Sequence, residues 1–123
     1  MPTDADRSPR SDCLFCRIAR GELPSQVVVD DEDLMAFHDI APRSPTHILI
    51  IPRAHIPSAA DLTEDDGPLL GRLFATAARI AREQEIADAG YRIVSNVGRW
   101  GGQTVDHLHL HLMGGRAFSW PPG

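Results

Sequence analysis

Hydrophobic and polar positions follow two different periods along the chain, and each period predicts a different kind of element. Apolar residues at helical spacing, with charged residues on the other faces, predict one long helix over residues 63–89, ended by Gly90. A shorter pattern of the same kind predicts a short helix from Cys13, ended by Gly21. The other apolar runs are short and strand-like. They cover residues 27–29, 34–39, 46–51, 91–95 and 104–113.

This pattern predicts an α+β domain, with one long helix, one short helix and several antiparallel strands. Residues 46–51 are apolar throughout and precede Pro52, which is typical of a central strand that ends at a proline. Residues 1–12 are polar, contain two prolines and show no periodicity. We therefore predict a disordered tail over residues 1–12, followed by one domain over residues 13–123.

Composition and charge exclude several classes of function. The chain has 123 residues, 42% of them hydrophobic, which suits one soluble domain. A formal net charge of −5 offers no basic excess for a nucleic-acid backbone. The longest strongly apolar run, residues 48–51, is far too short to cross a membrane, and the N-terminus lacks the apolar centre of a signal peptide. These features predict a cytoplasmic protein with neither nucleic-acid nor membrane partners.

The most informative segment is residues 107–112, where histidine and leucine alternate. This period of two predicts a strand with leucines towards the core and three imidazoles towards solvent or a ligand. Such a row could hold a zinc ion. It could also act on phosphorus, because neighbouring imidazoles resist being charged together and a neutral imidazole is a good nucleophile. A merely solvated polar face is the third interpretation.

Sequence motifs around this strand resemble the histidine triad nucleotide-binding proteins of the Hint branch. The resemblance runs from about Cys13 to the C-terminus. It is carried by residues 37–40, 45–56, 101–116 and the Trp-Pro-Pro-Gly end at 120–123. It implies a five-stranded antiparallel sheet with one long and one short helix, which pairs into a ten-stranded sheet in a homodimer. It also implies a purine nucleoside phosphoramidase that hydrolyses AMP–amine conjugates through a covalent nucleotidyl-histidine, with no cofactor required for catalysis.

The resemblance assigns catalytic roles to five residues. His109 matches the nucleophile, and His111 matches the residue that contacts the α-phosphate. His107 and His47 match supporting histidines that position the nucleophile or relay protons. Thr104 stands where the branch usually has a serine near the leaving group.

The resemblance also implies a set of nucleotide-binding residues. Asp39 would hold the ribose hydroxyls, Asn96 would lie by the phosphate, and the turn at 101–104 could direct backbone N–H groups to phosphate oxygens. Trp120 would approach the site of a partner subunit. The predicted set is Ile18, Phe37, Asp39, Ile40, Asn96, Gln103, Thr104, Val105, His109, His111 and Trp120. We expect His38 to face outwards without a role, and Trp100, next to Arg99, to pack its own loop.

The pair Cys13 and Cys16 has the spacing of a metal or redox site. The resemblance adds His55 and His107 as the other ligands of a structural zinc. Two small buried residues on a helix would explain the pair equally well, and a redox role lacks the usual βαβ context. Zinc ligation and a free proton relay would be competing roles for His107.

Three other functions remain open at this point. A nucleotide-binding or scaffold protein with incidental turnover would not need three imidazoles in register. A zinc hydrolase with the metal on the histidine row would lack an obvious carboxylate base. A dinucleoside polyphosphate hydrolase is disfavoured by the Trp-Pro-Pro-Gly end.

Overall fold

The computed structural model describes residues 6–123 and contains two α-helices and five strands in that range. The helices are α1 (Leu14–Ala19) and α2 (Gly67–Glu83). The strands are β1 (Val27–Asp30), β2 (Leu34–His38), β3 (Thr46–Pro52), β4 (Arg92–Val94) and β5 (Leu110–Gly114). Two short 3-10 turns, Ala59–Asp61 and Glu64–Asp66, precede α2.

All five strands form one antiparallel sheet in the order β1-β2-β3-β5-β4. The predicted α+β fold with a five-stranded antiparallel sheet is therefore confirmed, while the ten-stranded pairing in a dimer stays a prediction. β3 lies in the middle of the sheet and separates two apolar clusters. Ile48 and Ile50 face the cluster that includes α2, whereas Leu49 and Ile51 face the cluster that includes α1. The second cluster forms the floor of the site described below.

The long helix is shorter than its pattern predicts. Residues 64–66 form a 3-10 turn with a capping box between Thr63 and Asp66, and α2 begins at Gly67. It ends at Glu83 rather than Ala89. Glu85 adopts a positive φ of 60°, and the Ile86 N–H donates to the Ala81 carbonyl. Ile86 is still buried, which explains why the apolar pattern continues beyond the helix.

The last strand is also shorter, beginning at Leu110 instead of Thr104. Continuing the register with β3 by two residues beyond Leu110 would bring Leu108 opposite Pro52. Proline has no N–H to donate, so the ladder stops there. The Leu108 N–H donates instead to the Ile56 carbonyl at 2.6 Å.

Residues 7–13 are held against the domain, contrary to the predicted disordered tail over 1–12. The Arg7 guanidinium donates to the Asp66 carboxylate at 2.7 Å, and the Arg7 carbonyl accepts from the His55 N–H at 2.8 Å. The side chain and the backbone of a single residue, Arg7, make these contacts, so the attachment leaves no periodic pattern in the sequence. Residues 1–5 lie outside the described part of the chain. Within residues 6–123, no helix is long and apolar enough to cross a membrane.

Candidate active site

A cavity of about 280 Å³ opens between α1, the end of β2 and the histidine segment. Its wall includes eight of the predicted nucleotide-binding residues. These are Ile18, Phe37, Asp39, Ile40, Thr104, Val105, His109 and His111. Apolar side chains from α1 and β2 form much of the wall, while the histidines and Asp39 supply the polar atoms. The cavity can therefore take a ligand with a flat apolar part and an anionic part.

The alternation of residues 107–112 does place the leucines in the core, as predicted. Leu108, Leu110 and Leu112 all pack in the α2 cluster. The imidazoles were predicted to face solvent or a ligand; His109 and His111 do line the cavity, although His109 is only 5% exposed, while His107 is fully buried. α1 covers this face of the sheet, and the Phe15 ring lies edge-on to both His107 and His109.

The backbone fixes which nitrogen of His109 carries the proton. Its Nδ1 lies 2.7 Å from the His107 carbonyl oxygen, which can only accept a hydrogen bond. In the neutral ring, Nδ1 therefore carries the hydrogen and Nε2 keeps its lone pair. Since His109 also lines the cavity, it can offer a nucleophilic nitrogen to a ligand there.

His47 and His111 form a directed pair beside the nucleophile. The Arg43 N–H donates to His47 Nδ1 at 3.0 Å, so the neutral His47 ring carries its proton on Nε2. That nitrogen lies 2.9 Å from His111 Nδ1 and 3.4 Å from an Asp39 carboxylate oxygen. His111 Nδ1 consequently accepts, which leaves the His111 proton on Nε2.

Burial keeps both of these rings neutral. It lowers the pKa of His47, although the Asp39 carboxylate partly opposes this shift. Burial, together with repulsion from His109 and His47, lowers the pKa of His111 to about 4. Near pH 7 the cavity therefore holds neutral imidazoles that can pass a proton between them.

Ligand atoms of Asp39, His47 and His111 lie within 4.8 Å of one another, which is close enough to raise the question of a metal. The tautomer of His47 argues against a metal at this position. A metal on His47 Nε2 would require that nitrogen to lose its proton, while the Arg43 N–H already occupies Nδ1. The alternative of a zinc hydrolase with its metal in the cavity is therefore disfavoured.

A second cluster, formed by Cys13, Cys16, His55 and His107, lies behind the cavity and is buried. His107 Nδ1 is 3.3 Å from the Cys13 sulfur and 3.5 Å from the Cys16 sulfur, and His55 Nδ1 is 3.4 Å from the Cys16 sulfur. Tetrahedral zinc with bonds of about 2.0–2.3 Å separates its ligand atoms by roughly 3.3–3.8 Å. The four residues therefore fit a structural zinc ion.

The surroundings of His107 suit a metal ligand. Its Nε2 is 2.8 Å from the Pro52 carbonyl and must donate to it, so Nδ1 presents a lone pair to the sulfurs. Burial lowers the pKa of His107 to about 4, and it raises the pKa of the Cys16 thiol. Zinc ligation and a supporting catalytic role were predicted to compete for His107, but they fall on different groups of this residue. The ring belongs to the cysteine cluster and does not line the cavity, while the backbone carbonyl orients His109.

Three of the predicted nucleotide-binding residues do not line the cavity. Asn96 donates to the Gly101 carbonyl, and Gln103 donates to the Pro57 and Val105 carbonyls, so both hold the turn before Thr104. Trp120 is 83% exposed, and its approach to a partner subunit stays a prediction. The expectation that Trp100 packs its own loop is wrong, because Trp100 is 96% exposed.

Sequence reasoning missed other residues of the wall. His38, expected to face outwards without a role, lines the cavity together with Phe15 and Leu49. Phe15 lies between the two cysteines, and that position could have indicated its place beside the cluster. His38 and Leu49 gave no such signal, because only the pairing of β2 with β3 brings them together.

Comparison with known proteins places the chain in a family. The HIT domain model matches residues 20–118. The chain belongs to the HIT family. The purine nucleoside phosphoramidase of Escherichia coli K12 is 48% identical over 103 residues, which is 84% of this chain and 87% of the relative. A HIT-like protein of Synechococcus elongatus is 46% identical over 91% of this chain and 97% of its own length.

Solved structures of HIT proteins share the fold. A HIT family hydrolase from Legionella pneumophila has a TM-score of 0.90 and 49% identity, covering 91% of this chain and all of its own. One from Clostridium thermocellum has a TM-score of 0.87 and 40% identity, covering 89% of this chain and 96% of its own. The resemblance seen in the sequence is confirmed. The prediction of an enzyme is also confirmed, because the similar structures are HIT family hydrolases and one relative is a phosphoramidase.

Proposed function

We propose that this HIT protein hydrolyses purine nucleoside 5′-phosphoramidates, of which AMP–amine conjugates are the simplest. The observation that carries the proposal is the His109 tautomer. The His107 carbonyl fixes Nδ1–H, so that the Nε2 lone pair is available at a cavity of nucleotide-compatible size and polarity. The phosphoramidase name of the E. coli relative supports the choice of a P–N bond.

In the first step, His109 Nε2 attacks the α-phosphorus. A P–N bond to His109 forms as the P–N bond to the amine breaks, and the departing amine takes a proton. His111 supplies it from Nε2 while His111 Nδ1 takes the His47 Nε2 proton across the 2.9 Å contact. Solvent then supplies a proton to His47, so that neither ring is left as an anion. The N–H groups of residues 101–103 donate to the Gly98 and Arg99 carbonyls, contrary to the prediction that they face the phosphate. The hydroxyl of Thr104, which lines the cavity, would stabilise charge on the phosphoryl oxygens.

In the second step, water attacks phosphorus from the side that the amine has left. The bond to His109 breaks, the nucleoside monophosphate forms, and the proton released by the water passes through the neighbouring imidazoles to solvent. A zinc ion held by Cys13, Cys16, His55 and His107 would fix α1 against the histidine segment. It would supply no chemistry to either step.

The apolar and the polar side chains of the cavity wall would recognise different parts of the nucleoside. Ile18, Phe37 and Ile40 offer apolar surface to a base, and Ile40 is 97% exposed at the mouth of the cavity. Asp39 lies beside His47 and offers a carboxylate to the ribose hydroxyls. This division supports a nucleoside monophosphate conjugate rather than a free phosphate.

The test is hydrolysis of adenosine 5′-phosphoramidate in excess chelator, for the parent protein and for His109→Ala. We expect turnover by the parent and a loss of about 10³-fold or more in the variant. Circular dichroism on the same samples shows whether each remains folded. Loss of parent activity in a folded, chelated sample would favour a metal mechanism. An inactive parent that binds AMP tightly would favour a binding protein.

A further inference from the structure

A tight turn at residues 97–103 presents Trp100 to solvent, and it directly precedes Thr104 and Val105 of the cavity wall. Trp100 is 96% exposed, although tryptophan usually buries much of its large apolar surface. Its neighbour Arg99 is also exposed and makes no ion pair or side-chain hydrogen bond with the described part of the chain. Neither side chain contributes visibly to the packing of the domain, so their position calls for another explanation.

This turn is rigidly constructed. Gly98 and Gly102 have positive φ values of 72° and 84°, and a Cβ on Gly101 would lie 2.2 Å from the Val97 carbonyl oxygen. The Gly101 and Gln103 N–H groups both donate to the Gly98 carbonyl. A rigid turn holds an exposed indole in place without the entropy cost of ordering it on binding.

Side-chain hydrogen bonds join the turn to the wall of the cavity. Gln103 accepts from the Gly98 N–H at 2.9 Å and donates to the Val105 carbonyl at 3.0 Å. Thr104 and Val105, which follow the turn directly, both line the cavity with His109. Trp100 is four residues from Thr104, which limits the distance between their Cα atoms to about 14 Å.

The position of the turn indicates which part of a substrate it would meet. The apolar wall from α1 and β2 suits the base, and the phosphorus must lie against His109. The amine portion then projects from the cavity towards the solvent, where the turn carries an exposed indole and a free guanidinium. An indole face stacks on aromatic rings, and a guanidinium pairs with carboxylates or phosphates.

We propose that Arg99 and Trp100 are specificity-determining residues that bind the leaving group of the phosphoramidate, and that they select an amine with an aromatic ring and an anionic group. This inference rests on the proposed function, because it assigns the turn to the substrate of the same cavity. It predicts that the chain prefers large aromatic amines over ammonia as leaving groups.

Three AMP conjugates test the proposal, with ammonia, aniline and 4-aminobenzoate as the amines. Each is assayed with the parent, Trp100→Ala, Arg99→Ala and the control Val97→Ala, which alters an exposed side chain of the same turn. Ratios of variant to parent kcat/KM remove the differences in intrinsic reactivity among the amines. We expect Trp100→Ala to lower kcat/KM about tenfold for both aromatic conjugates and to leave the ammonia conjugate unchanged.

Arg99→Ala should lower kcat/KM severalfold for the 4-aminobenzoate conjugate alone, and Val97→Ala should change none of the three. A binding measurement complements these rates. With Trp120→Phe and His109→Ala combined, Trp100 is the only tryptophan, and its fluorescence should be quenched by the 4-aminobenzoate conjugate but not by AMP.

The outcomes separate this inference from the proposed function. If the parent hydrolyses none of the conjugates, the proposed function fails. If it hydrolyses the ammonia conjugate but Trp100→Ala changes all three equally, or none, the role of the turn is overturned. A change in native mass with Trp100→Ala would also overturn it, since the turn would then be a contact between copies of the chain.

Discussion

At the scale of single residues, the chemistry of the site depends on backbone groups that set the tautomers of two histidines, His109 and His47. The His107 carbonyl accepts from Nδ1 of His109, so that nitrogen carries the proton. The Arg43 N–H donates to Nδ1 of His47, so the His47 proton lies on Nε2. The two rings therefore have opposite hydrogen-bonding properties. One offers a lone pair for attack, and the other passes its proton to His111.

Asp39 gives a prediction at this scale. Its carboxylate lines the cavity and also accepts from the Ala41 N–H at 2.8 Å, a contact that an asparagine oxygen could keep. We expect Asp39→Asn to raise KM for adenosine 5′-phosphoramidate about tenfold, because a charge-assisted hydrogen bond to the ribose is weakened. The measurement compares this substrate with its 2′-deoxy analogue. If Asp39→Asn impairs both equally, the carboxylate does not bind the 2′-hydroxyl.

At the scale of elements, the short helix α1 connects the cysteine cluster with the active site. Cys13 caps the helix, and its sulfur accepts from the Cys16 N–H. Phe15, on the same turn, packs edge-on against His109 at 5.0 Å between ring centres. A six-residue helix has little stability of its own, so its position depends on these contacts. The state of the cluster therefore affects the nucleophile through both Phe15 and His107.

We predict that Cys16→Ser removes zinc from the protein and lowers the free energy of unfolding by about 2 kcal/mol or more. Because His107 then loses part of its anchor, kcat should fall more than KM changes. Zinc content, urea unfolding and steady-state kinetics measure these three effects. Leu73→Ala, in the α2 cluster away from His107, is the control for simple destabilisation. A comparable fall in kcat for folded Leu73→Ala would contradict a specific link.

At the scale of the whole molecule, buried neutral histidines make stability depend on pH. The folded-state pKa of His111 is about 4, and that of His47 is also lowered, whereas unfolded histidines titrate near 6.5. Between these values the unfolded chain binds more protons than the folded one. The stability that these rings contribute is therefore complete above about pH 6.5 and is lost as the pH falls towards 4.

Urea unfolding at pH 7.5 and pH 5.0 tests this prediction. The midpoint should be lower at pH 5.0 for the parent, and His111→Asn should show a smaller difference between the two pH values. His38→Asn serves as the matched control, because His38 is only half-buried and lies outside the His47–His111 pair. An unchanged pH difference in His111→Asn would show that other groups, such as the cysteine cluster, dominate acid unfolding.

Much of the fold could be predicted from local pattern. The apolar run of β3, the leucine face of residues 107–112 and the helical period of α2 each reflect burial on a repeating face. The ends of the helices and strands were harder to predict from such patterns. Pro52 stops the pairing of the last strand from across the sheet, and Ile86 continues the helical pattern after the backbone has left the helix.

The sequence by itself determined which chemistry was available, since the alternating histidines and the paired cysteines are local patterns. Only the tertiary structure decided which nitrogen of each histidine carries a proton and which partner each ring contacts. Contacts with Pro52 and Arg43, each distant in sequence from the triad, direct the His107 ring to the cysteines and set the proton on His47. A hydrogen bond depends on the distance and direction of its partner, and folding alone brings those partners together.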